Sequence, residues 1–528
     1  MHGQDISLSI QTFETLIQEK RIYVDKTDVI HTLLTSGSRA CFFSRPRRFG
    51  KSLTISTLDA IFTGKKHLFK NLAISKTDYA WPIYPVIRLD MKYAAQETFE
   101  RAEIGLISSL KDIATQYSVT LNHQNVDDLF KELIRKLQEK TKSKVVILID
   151  EYDKPLIDNL DNIQEAKKIQ GMLKRFYGVL KSADEHIRFV FITGVSKFSK
   201  VSIFSDLNHL QDLTMNAQYA SLVGMTEEEL TTHYSPYIQT IADQKKWTYD
   251  QVIQEMRRWY NGYRFSEADI KVYNPWSTLS LFSTGKFQEH WYTTGIPKML
   301  VDIINRDPES FSYSNPADFD LTSPFTLNQF EAYTIEKLEL IPLMLQTGFL
   351  TLKTYQDIPG QLTLFQLGYP NSEVRNAFIR MVLDERVTSD SGTRALAAYR
   401  IQQTLKQKKF DDLIALLNSL IASIPGNLHT AKESYYHSLI HMVFQTSGLN
   451  IRSEEWVAGG RIDTVIEEPN CFYIVEFKFG STAQDALNQI KLRKYPDKFN
   501  STSIPIFALA IAVNCETKSI SEWILEQV

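Results

Sequence analysis

Two groups of residues in this chain have the types and spacing that chemistry needs. The first is Gly50-Lys51-Ser52, which closes the basic stretch Arg45-Pro46-Arg47-Arg48-Phe49 after the apolar Phe42-Phe43. A glycine lets backbone come close to phosphate oxygens. The N–H groups of the helix turn that follows point at the anion. Lys51 then reaches the outer phosphates, and the Ser52 hydroxyl ligates Mg²⁺. The loop from Arg45 to Ser52 therefore reads as a phosphate-binding loop. The generic pattern G-x-x-x-x-G-K-[ST] places its first glycine at position 45, which is Arg45 here, so the match is incomplete.

Asp150-Glu151 supplies the complementary acids. They end the run Val145-Val146-Ile147-Leu148-Ile149, a continuous apolar stretch of the kind that forms a central parallel strand. Open α/β sheets bind ligands at the C-terminal edge of such strands. Asp150 would join Ser52 in the Mg²⁺ shell, and Glu151 would orient and polarise the attacking water. The alternative is a helix cap following a core strand. Two compatible motifs in the right order favour nucleotide binding and hydrolysis.

The second group lies near the C-terminus. Gly460-Arg461-Ile462-Asp463-Thr464-Val465-Ile466 and Phe472-Tyr473-Ile474-Val475-Glu476-Phe477-Lys478-Phe479 read as consecutive strands, with the turn at Pro469-Asn470. Proline cannot adopt positive φ, so a four-residue loop is expected rather than a type I′ turn. Either loop length sets Asp463 opposite Glu476 and Arg461 opposite Lys478. Strand alternation then puts Asp463, Glu476 and Lys478 on one face. Ile462, Thr464, Ile466, Tyr473, Val475 and Phe477 form the other, a core face. Facing carboxylates repel unless a cation joins them, which suits Mg²⁺ or Mn²⁺ held by oxygen ligands. Lys478 would position or help deprotonate a water that attacks a phosphodiester. The alternative is a salt-bridged hairpin with solvated charges.

The elements that must position these groups follow from periodicity. Phe13, Leu16 and Ile17 mark a short opening helix, and Thr27 or Asp28 is placed to cap a helix carrying Ile30, Leu33 and Leu34. Strands are expected over 39–43, 85–89, 144–150 and 187–194, with a helix over 53–62. At the end of the fourth strand, Thr193 or Ser196 can bond the γ-phosphate or its water, or instead satisfy loop backbone. Thr226-Glu227-Glu228-Glu229 reads as a helix start. The aromatic stretch Trp259 to Phe265, with Tyr273-Asn274-Pro275-Trp276, reads either as a lid that lets Arg264 reach phosphate or as packing between helices. Helical patterns follow over 338–350, 373–386 and 410–424. Glu433, His437 and His441 form a helical stripe; Ser438 stands where H-E-x-x-H needs Glu, so no zinc-protease motif is present. Gln489, Lys491, Arg493 and Lys494 are placed to meet a phosphate backbone or to form a solvated helix face.

At 528 residues the chain needs several domains, and a net charge of −3 confines any polyanion site to a local patch. Cys41, Cys471 and Cys515 are widely separated, which suits a reducing compartment and excludes a C-x-x-C zinc pattern. The first residues lack a signal-peptide pattern, and the apolar run from Ile504 to Val513 is too short to span a bilayer. A cytoplasmic protein with no membrane partner is expected. The boundaries read as a nucleotide-binding domain over 1–225, a helical lid or winged-helix-like region over 226–330, a helical linker over 331–425 and a second catalytic domain over 426–528.

Arg45 to Ser52, with Tyr23-Val24-Asp25-Lys26-Thr27 before it and Ile149-Asp150-Glu151-Tyr152-Asp153 after it, resembles the bacterial AAA-ATPase-like family, whose members typically carry a C-terminal PD-(D/E)XK nuclease domain. Trp259-Tyr260-Asn261-Gly262-Tyr263, Tyr273-Asn274-Pro275, Gly460-Arg461-Ile462-Asp463 and Glu476-Phe477-Lys478 share the likeness. The resemblance implies that Arg45 is the family's own version of the loop. It also implies an α/β fold with an ASCE-type P-loop sheet, helices on both faces, Glu151 as hydrolytic carboxylate, and a restriction-endonuclease-like domain with Asp463, Glu476 and Lys478 as its trio. ATP, Mg²⁺ and DNA are the implied ligands, and a homo-oligomer is compatible with them. Two functions compete. One is an ATP-controlled nuclease in DNA processing or defence. The other is a signalling-type ATPase switch whose last domain binds without cutting. No arginine finger stands out among Arg188, Arg257, Arg258 and Arg264.

Overall fold

The computed structural model describes residues 6–196, 203–204, 207, 210–291, 300, 325–326, 340–358, 362–386, 391–424, 433–447, 449–457, 460–499 and 504–528. The described residues fall into two compact units that divide between Val374 and Arg375.

The first unit is organised on a parallel sheet of strands β1 (Ala40–Ser44), β2 (Val86–Asp90), β3 (Val145–Asp150), β4 (Ile187–Gly194) and β5 (Gln211–Asp212), in the order β2-β3-β4-β1-β5. β1 and β3 are buried along their whole length, which is why they read as unbroken apolar runs. One strand, β4, separates the loop-bearing β1 from the acid-bearing β3. Register aligns Ser44 with Gly194 and Asp90 with Asp150, so the strand ends share one edge. The helix Lys51–Phe62 leaves β1 at that edge, and helices Phe99–Gln116, Val126–Thr141 and Ile163–Ser182 make the later crossovers.

Neither residue expected to cap the helix Thr27–Thr35 does so. Asp25 takes the role: its Oδ1 accepts the N–H of Thr27 at 2.9 Å and its hydroxyl at 2.7 Å. Further along, Thr226 and Glu229 form the reciprocal cap that the sequence suggests. Helices Glu227–Lys245, Tyr249–Tyr260 and Pro275–Thr284 then close over Leu230, Ile238, Val252, Met256 and Leu281, with Ile22 and Val24 packed against them. A two-residue pair, β6 (Tyr263–Arg264) and β7 (Lys271–Val272), links them. β8 (Phe325–Thr326), β9 (Thr351–Ile358) and β10 (Leu362–Gly368) form a small antiparallel sheet that periodicity did not single out.

In the second unit, β11 (Asn450–Val457), β12 (Gly460–Glu468), β13 (Cys471–Phe479), β14 (Ile506–Val513) and β15 (Ile520–Gln527) lie in sequence order. Only the β13–β14 pair is parallel, and the helix Ala483–Leu492 makes the crossover it requires. That helix packs Ala486, Leu487 and Ile490 on Val465, Phe472 and Ile474. Helices Phe410–Ala422 and Glu433–Thr446 bring Phe410 against Tyr473 and Tyr436 against Phe479. Glu468 pairs directly with Cys471, so the hairpin turn has two residues, not four. Neither Pro469 nor Asn470 has positive φ, and an ordinary turn suffices where a type I′ turn would not fit proline.

Candidate functional site

β1 carries the chain into the basic loop, and the Arg45 N–H still bonds Gly194 O at 3.1 Å. The left-handed positions of the loop are Arg48 (φ 69°) and Gly50 (φ 102°). Arg45 is not left-handed, so the position that the generic motif fills with glycine has no need of one. The Arg45 side chain goes down, not out. It is sandwiched between the rings of Phe43 and Phe265 at 4.3 and 4.2 Å, and it donates to the carbonyls of Ser44 at 2.9 Å and Thr214 at 2.7 Å. Burial pushes its pKa down to about 9. Arg45 is a strut under the loop.

Above the loop is a cavity of about 430 Å³, whose lining includes Arg47 through Thr54, Lys92, Glu151 and Lys154. Six cationic residues (Lys26, Arg47, Arg48, Lys51, Lys92, Lys154) and one acid, Glu151, line it. Apolar and aromatic residues line it as well: Leu8, Ile22, Val24, Leu222, Met225 and Leu279, with Tyr234 and Trp276. Trp276 lies under the Arg48 guanidinium at 4.4 Å. Tyr234, Pro275, Trp276 and Leu279 come from the helical region, which thus supplies one wall.

Lys51 is buried, and its Nζ donates to Arg45 O at 2.8 Å and Pro46 O at 2.9 Å. Burial lowers its pKa, against the pull of Glu151, Asp150 and Asp153. Glu151 sits in the left-handed region at φ 54°, a conformation that non-glycine residues adopt at a cost. Its Oε1 is 3.5 Å from Lys92 Nζ. Burial raises the Glu151 pKa, and Lys92 and Lys51 partly offset this. Asp150 and Thr193 are buried and do not line the cavity. The Thr193 hydroxyl donates to Asp150 Oδ1 at 2.6 Å and so fixes that carboxylate. Ser196 likewise donates to Asp153 Oδ2 at 2.7 Å.

The arginine candidates have structural partners. Arg264 is buried; it donates to the carbonyls of Ser266, Ala268, Glu267 and Lys353, which is the packing alternative and not the phosphate contact. Arg257 pairs with Glu227, Arg258 with Glu255, and Arg188 bonds the Tyr84 hydroxyl at 3.4 Å. The aromatic stretch packs on the loop itself: Tyr263 and Phe265 meet Phe49 at 4.8 and 5.5 Å between ring centres.

At the second site the paired part of the hairpin keeps the expected register, and the pairing stops one step short of Asp463 and Glu476. The β12–β13 ladder runs from Glu468↔Cys471 to Thr464↔Val475. At its end the half-buried Asp463 accepts the Phe477 N–H on Oδ2 at 2.9 Å. Glu476 is 1 % exposed, and its Oε1 accepts from the Gln489 amide and lies 3.6 Å from Lys478 Nζ. The Tyr495 hydroxyl donates to Arg461 O at 2.7 Å and accepts from Gln489 at 3.4 Å. Burial raises the Tyr495 pKa, the Gln489 bond lowers it, and Glu476 and Asp463 add to the rise, so both acids act on one hydroxyl. Behind the sheet, His437 Nε2 is 3.1 Å from Asp463 O, and His441 Nδ1 is 3.0 Å from Thr464 Oγ1. These histidines pack; the Glu433 side chain lies outside the described residues.

A family described as "Predicted AAA-ATPase" matches residues 7–204, and one described as "PD-(D/E)XK nuclease superfamily" matches residues 431–523. A protein of Azotobacter chroococcum mcd 1, named "Uncharacterized protein in vnfD 5'region", is 32% identical over 539 residues, covering all of both chains. The chain belongs to the AAA-ATPase-like family, with a PD-(D/E)XK nuclease superfamily domain at its C-terminus. The AAA-ATPase-like domain accounts for the parallel sheet, and the nuclease superfamily domain for β11–β15.

The AAA-ATPase-like domain also uses residues that sequence reasoning passed over. Ser7, Leu8, Ile10 and Gln11 line the cavity although the chain's start carries no motif. In Tyr23-Val24-Asp25-Lys26-Thr27, Tyr23, Val24 and Lys26 line it, and Lys26 bonds Glu229 at 2.6 Å. Lys92 carries no motif of its own and meets Glu151 because β2 pairs with β3. In the nuclease domain Gln489, which the sequence places at a phosphate backbone or on a solvated face, bonds Glu476.

Proposed function

We propose that the N-terminal domain binds and hydrolyses ATP, that the C-terminal domain is a metal-dependent DNA endonuclease, and that the first controls the second within a cytoplasmic cycle of DNA processing or defence. The observation that carries the reading is the cavity over the loop, whose lining joins six cationic residues and one acid to a set of apolar side chains that includes Trp276. A nucleoside triphosphate likewise joins a polyanion to a flat, largely apolar base.

The residues fit Mg²⁺. Among the described residues no group of three or more His, Cys, Asp or Glu could hold a metal. Mg²⁺ is commonly bound by one or two carboxylates, with waters and substrate phosphates completing the shell. Ser52 and Asp150 would hold it at the loop; Asp463 and Glu476 would hold Mg²⁺ or Mn²⁺ at the second site. A bound ion would neutralise developing charge on phosphate oxygens. Lys51 would exchange its bonds to Arg45 O and Pro46 O for the β- and γ-phosphates. Glu151 would accept a hydrogen bond from the attacking water through the carboxylate that now faces Lys92. Thr193 would keep Asp150 oriented. Lys478 would hold the water that attacks the phosphodiester.

The test is cleavage of plasmid and linear DNA by the full-length protein with Mg²⁺ or Mn²⁺, with and without ATP. Asp463→Ala should abolish cleavage and leave ATP turnover intact. Glu151→Gln should slow turnover by roughly 10²-fold or more while ATP still binds. Turnover without any cleavage would reject the nuclease assignment and leave a switch whose last domain only binds.

A further inference from the structure

The two strands that carry the acids part where the acids stand. β12 and β13 pair as far as Thr464↔Val475, while β12 stays paired with β11 to Val457↔Gly460 and β13 with β14 to Phe479↔Val513. Such a fork takes main-chain groups out of the ladder, and buried ones need other partners. Side chains supply two of them. The Phe477 N–H donates to Asp463 Oδ2 at 2.9 Å, so a carboxylate oxygen does the work of a strand carbonyl. The Asp463 carbonyl lies 3.1 Å from His437 Nε2. A carbonyl only accepts, so Nε2 carries the hydrogen and donates it.

His437 is itself held in place for this bond. Its helix, Glu433–Thr446, is laid on β13 by Tyr436 against Phe479 at 5.2 Å and by His437 against Phe477 at 5.3 Å between ring centres. Thr464 Oγ1 is 3.3 Å from His437 Nε2 and 3.0 Å from His441 Nδ1, so the hydroxyl sits between the two rings. His437, His441 and Thr464 are all buried. The contacts close a circuit. His437 packs on Phe477, Phe477 donates to the Asp463 carboxylate, and the Asp463 main chain accepts from His437. One bond fixes the main chain of Asp463 and the other its carboxylate, and Oδ1 takes part in neither.

We propose that His437 is a positioning residue of the nuclease site: through this circuit it holds Asp463 at the fork, with its second oxygen preset to ligate the divalent cation. The inference rests on the nuclease reading above and adds the need for a hydrogen-bond donor at position 437. The nitrogen that faces Asp463 carries a hydrogen and so has no lone pair for a metal. His437 acts through Asp463.

The test is calorimetric titration of the full-length protein with Mn²⁺, with Asp463→Ala as the blank for the site, together with the Mn²⁺ dependence of plasmid cleavage. His437→Phe keeps a ring against Phe477 and removes the donor. It should weaken Mn²⁺ binding by about 10- to 100-fold and move the midpoint of the cleavage titration equally, with the rate at saturating Mn²⁺ within about threefold of wild type. His437→Gln brings an amide N–H to the place of Nε2 and should recover most of the loss. A merely structural role would lower the saturating rate and leave the midpoint where it was. If His437→Phe does not fold, His437→Asn, whose amide stops short of Asp463 O, replaces it with the same expected result. An unmoved midpoint without the donor, or a loss that His437→Gln does not recover, overturns the proposal and leaves the nuclease reading standing. A wild type that shows neither Mn²⁺ heat beyond that of Asp463→Ala nor any cleavage overturns both.

Discussion

Glu373 gives a sharp test of how the first unit is balanced. It stands at the start of the helix Ser372–Arg386, 0 % exposed, with Oε1 accepting the Trp291 N–H at 2.7 Å. The Ser277 hydroxyl and the His290 N–H also act on it, but these are neutral donors, and the nearest charge effect comes from another acid, Glu289. Burial therefore pushes its pKa from the ordinary 4.5 to about 8. Near neutral pH the folded chain holds a proton that the unfolded chain has lost. Stability from this group is greatest below the unfolded value and falls as pH rises towards 8, by about 1.4 kcal/mol per unit. At pH 7 the loss is about 3 kcal/mol, a large part of the stability of an ordinary domain. Glu373→Gln keeps the shape and the carbonyl that Trp291 needs, and removes the titration. The measurement is urea unfolding of the N-terminal unit in both proteins from pH 5.5 to 8.5. Subtraction cancels the other titrating groups. The variant should gain steadily on the wild type as pH rises and level off above pH 8. A difference that is flat with pH, or that runs the other way, would refute the account of Glu373 as a neutral buried acid.

Two further outcomes follow from the sites. Lys92→Met removes one of the two cations that restrain the rise of the Glu151 pKa, so Glu151 should protonate at higher pH and the acidic limb of ATP hydrolysis should move upward; an unmoved limb would show that the pair does not tune the base. Gln489→Ala takes away the amide that holds Glu476 and should weaken metal-dependent cleavage by about 10- to 100-fold, with a higher metal requirement and unchanged ATP turnover; wild-type cleavage at limiting metal would count against its positioning role.

The sequence is legible where one physical rule dominates. β1 and β3 stand out because a strand buried on both faces must be apolar throughout, and the acids at its end then fall on the ligand edge. The β12–β13 register is legible because a turn centred on Pro469-Asn470 fixes the pairs from Glu468↔Cys471 to Thr464↔Val475 whatever its length. Legibility ends where tertiary contacts decide. β5 has two residues, Gln211 and Asp212, with no pattern to find. Arg45 looks like a defect until Phe43 and Phe265 are seen to enclose it. Arg264 looks available until four carbonyls are seen around it. Lys92 gains meaning only from the pairing of Asp90 with Asp150, and Gln489 only from the crossover that lays its helix over Glu476.

The charge excess in the cavity is not spread evenly, and its distribution says where an anion belongs. Lys26 is balanced by Glu229 at 2.6 Å, Lys154 by Asp158 at 2.7 Å and Lys92 by Glu151 at 3.5 Å, while Arg48 lies over the Trp276 ring. Lys51, by contrast, is hydrogen-bonded to two neutral carbonyls, which satisfy its N–H groups without cancelling its charge. Burial lowers its pKa although Glu151, Asp150 and Asp153 pull the other way, so desolvation of this cation outweighs the three nearby acids. The positive potential therefore concentrates at Lys51 and Arg47, beside Gly50, where the first N–H groups of the helix Lys51–Phe62 also point. An anion placed there would gain from both sources together. The ion pairs elsewhere in the cavity hold their own charges in place and keep that position the most favourable one.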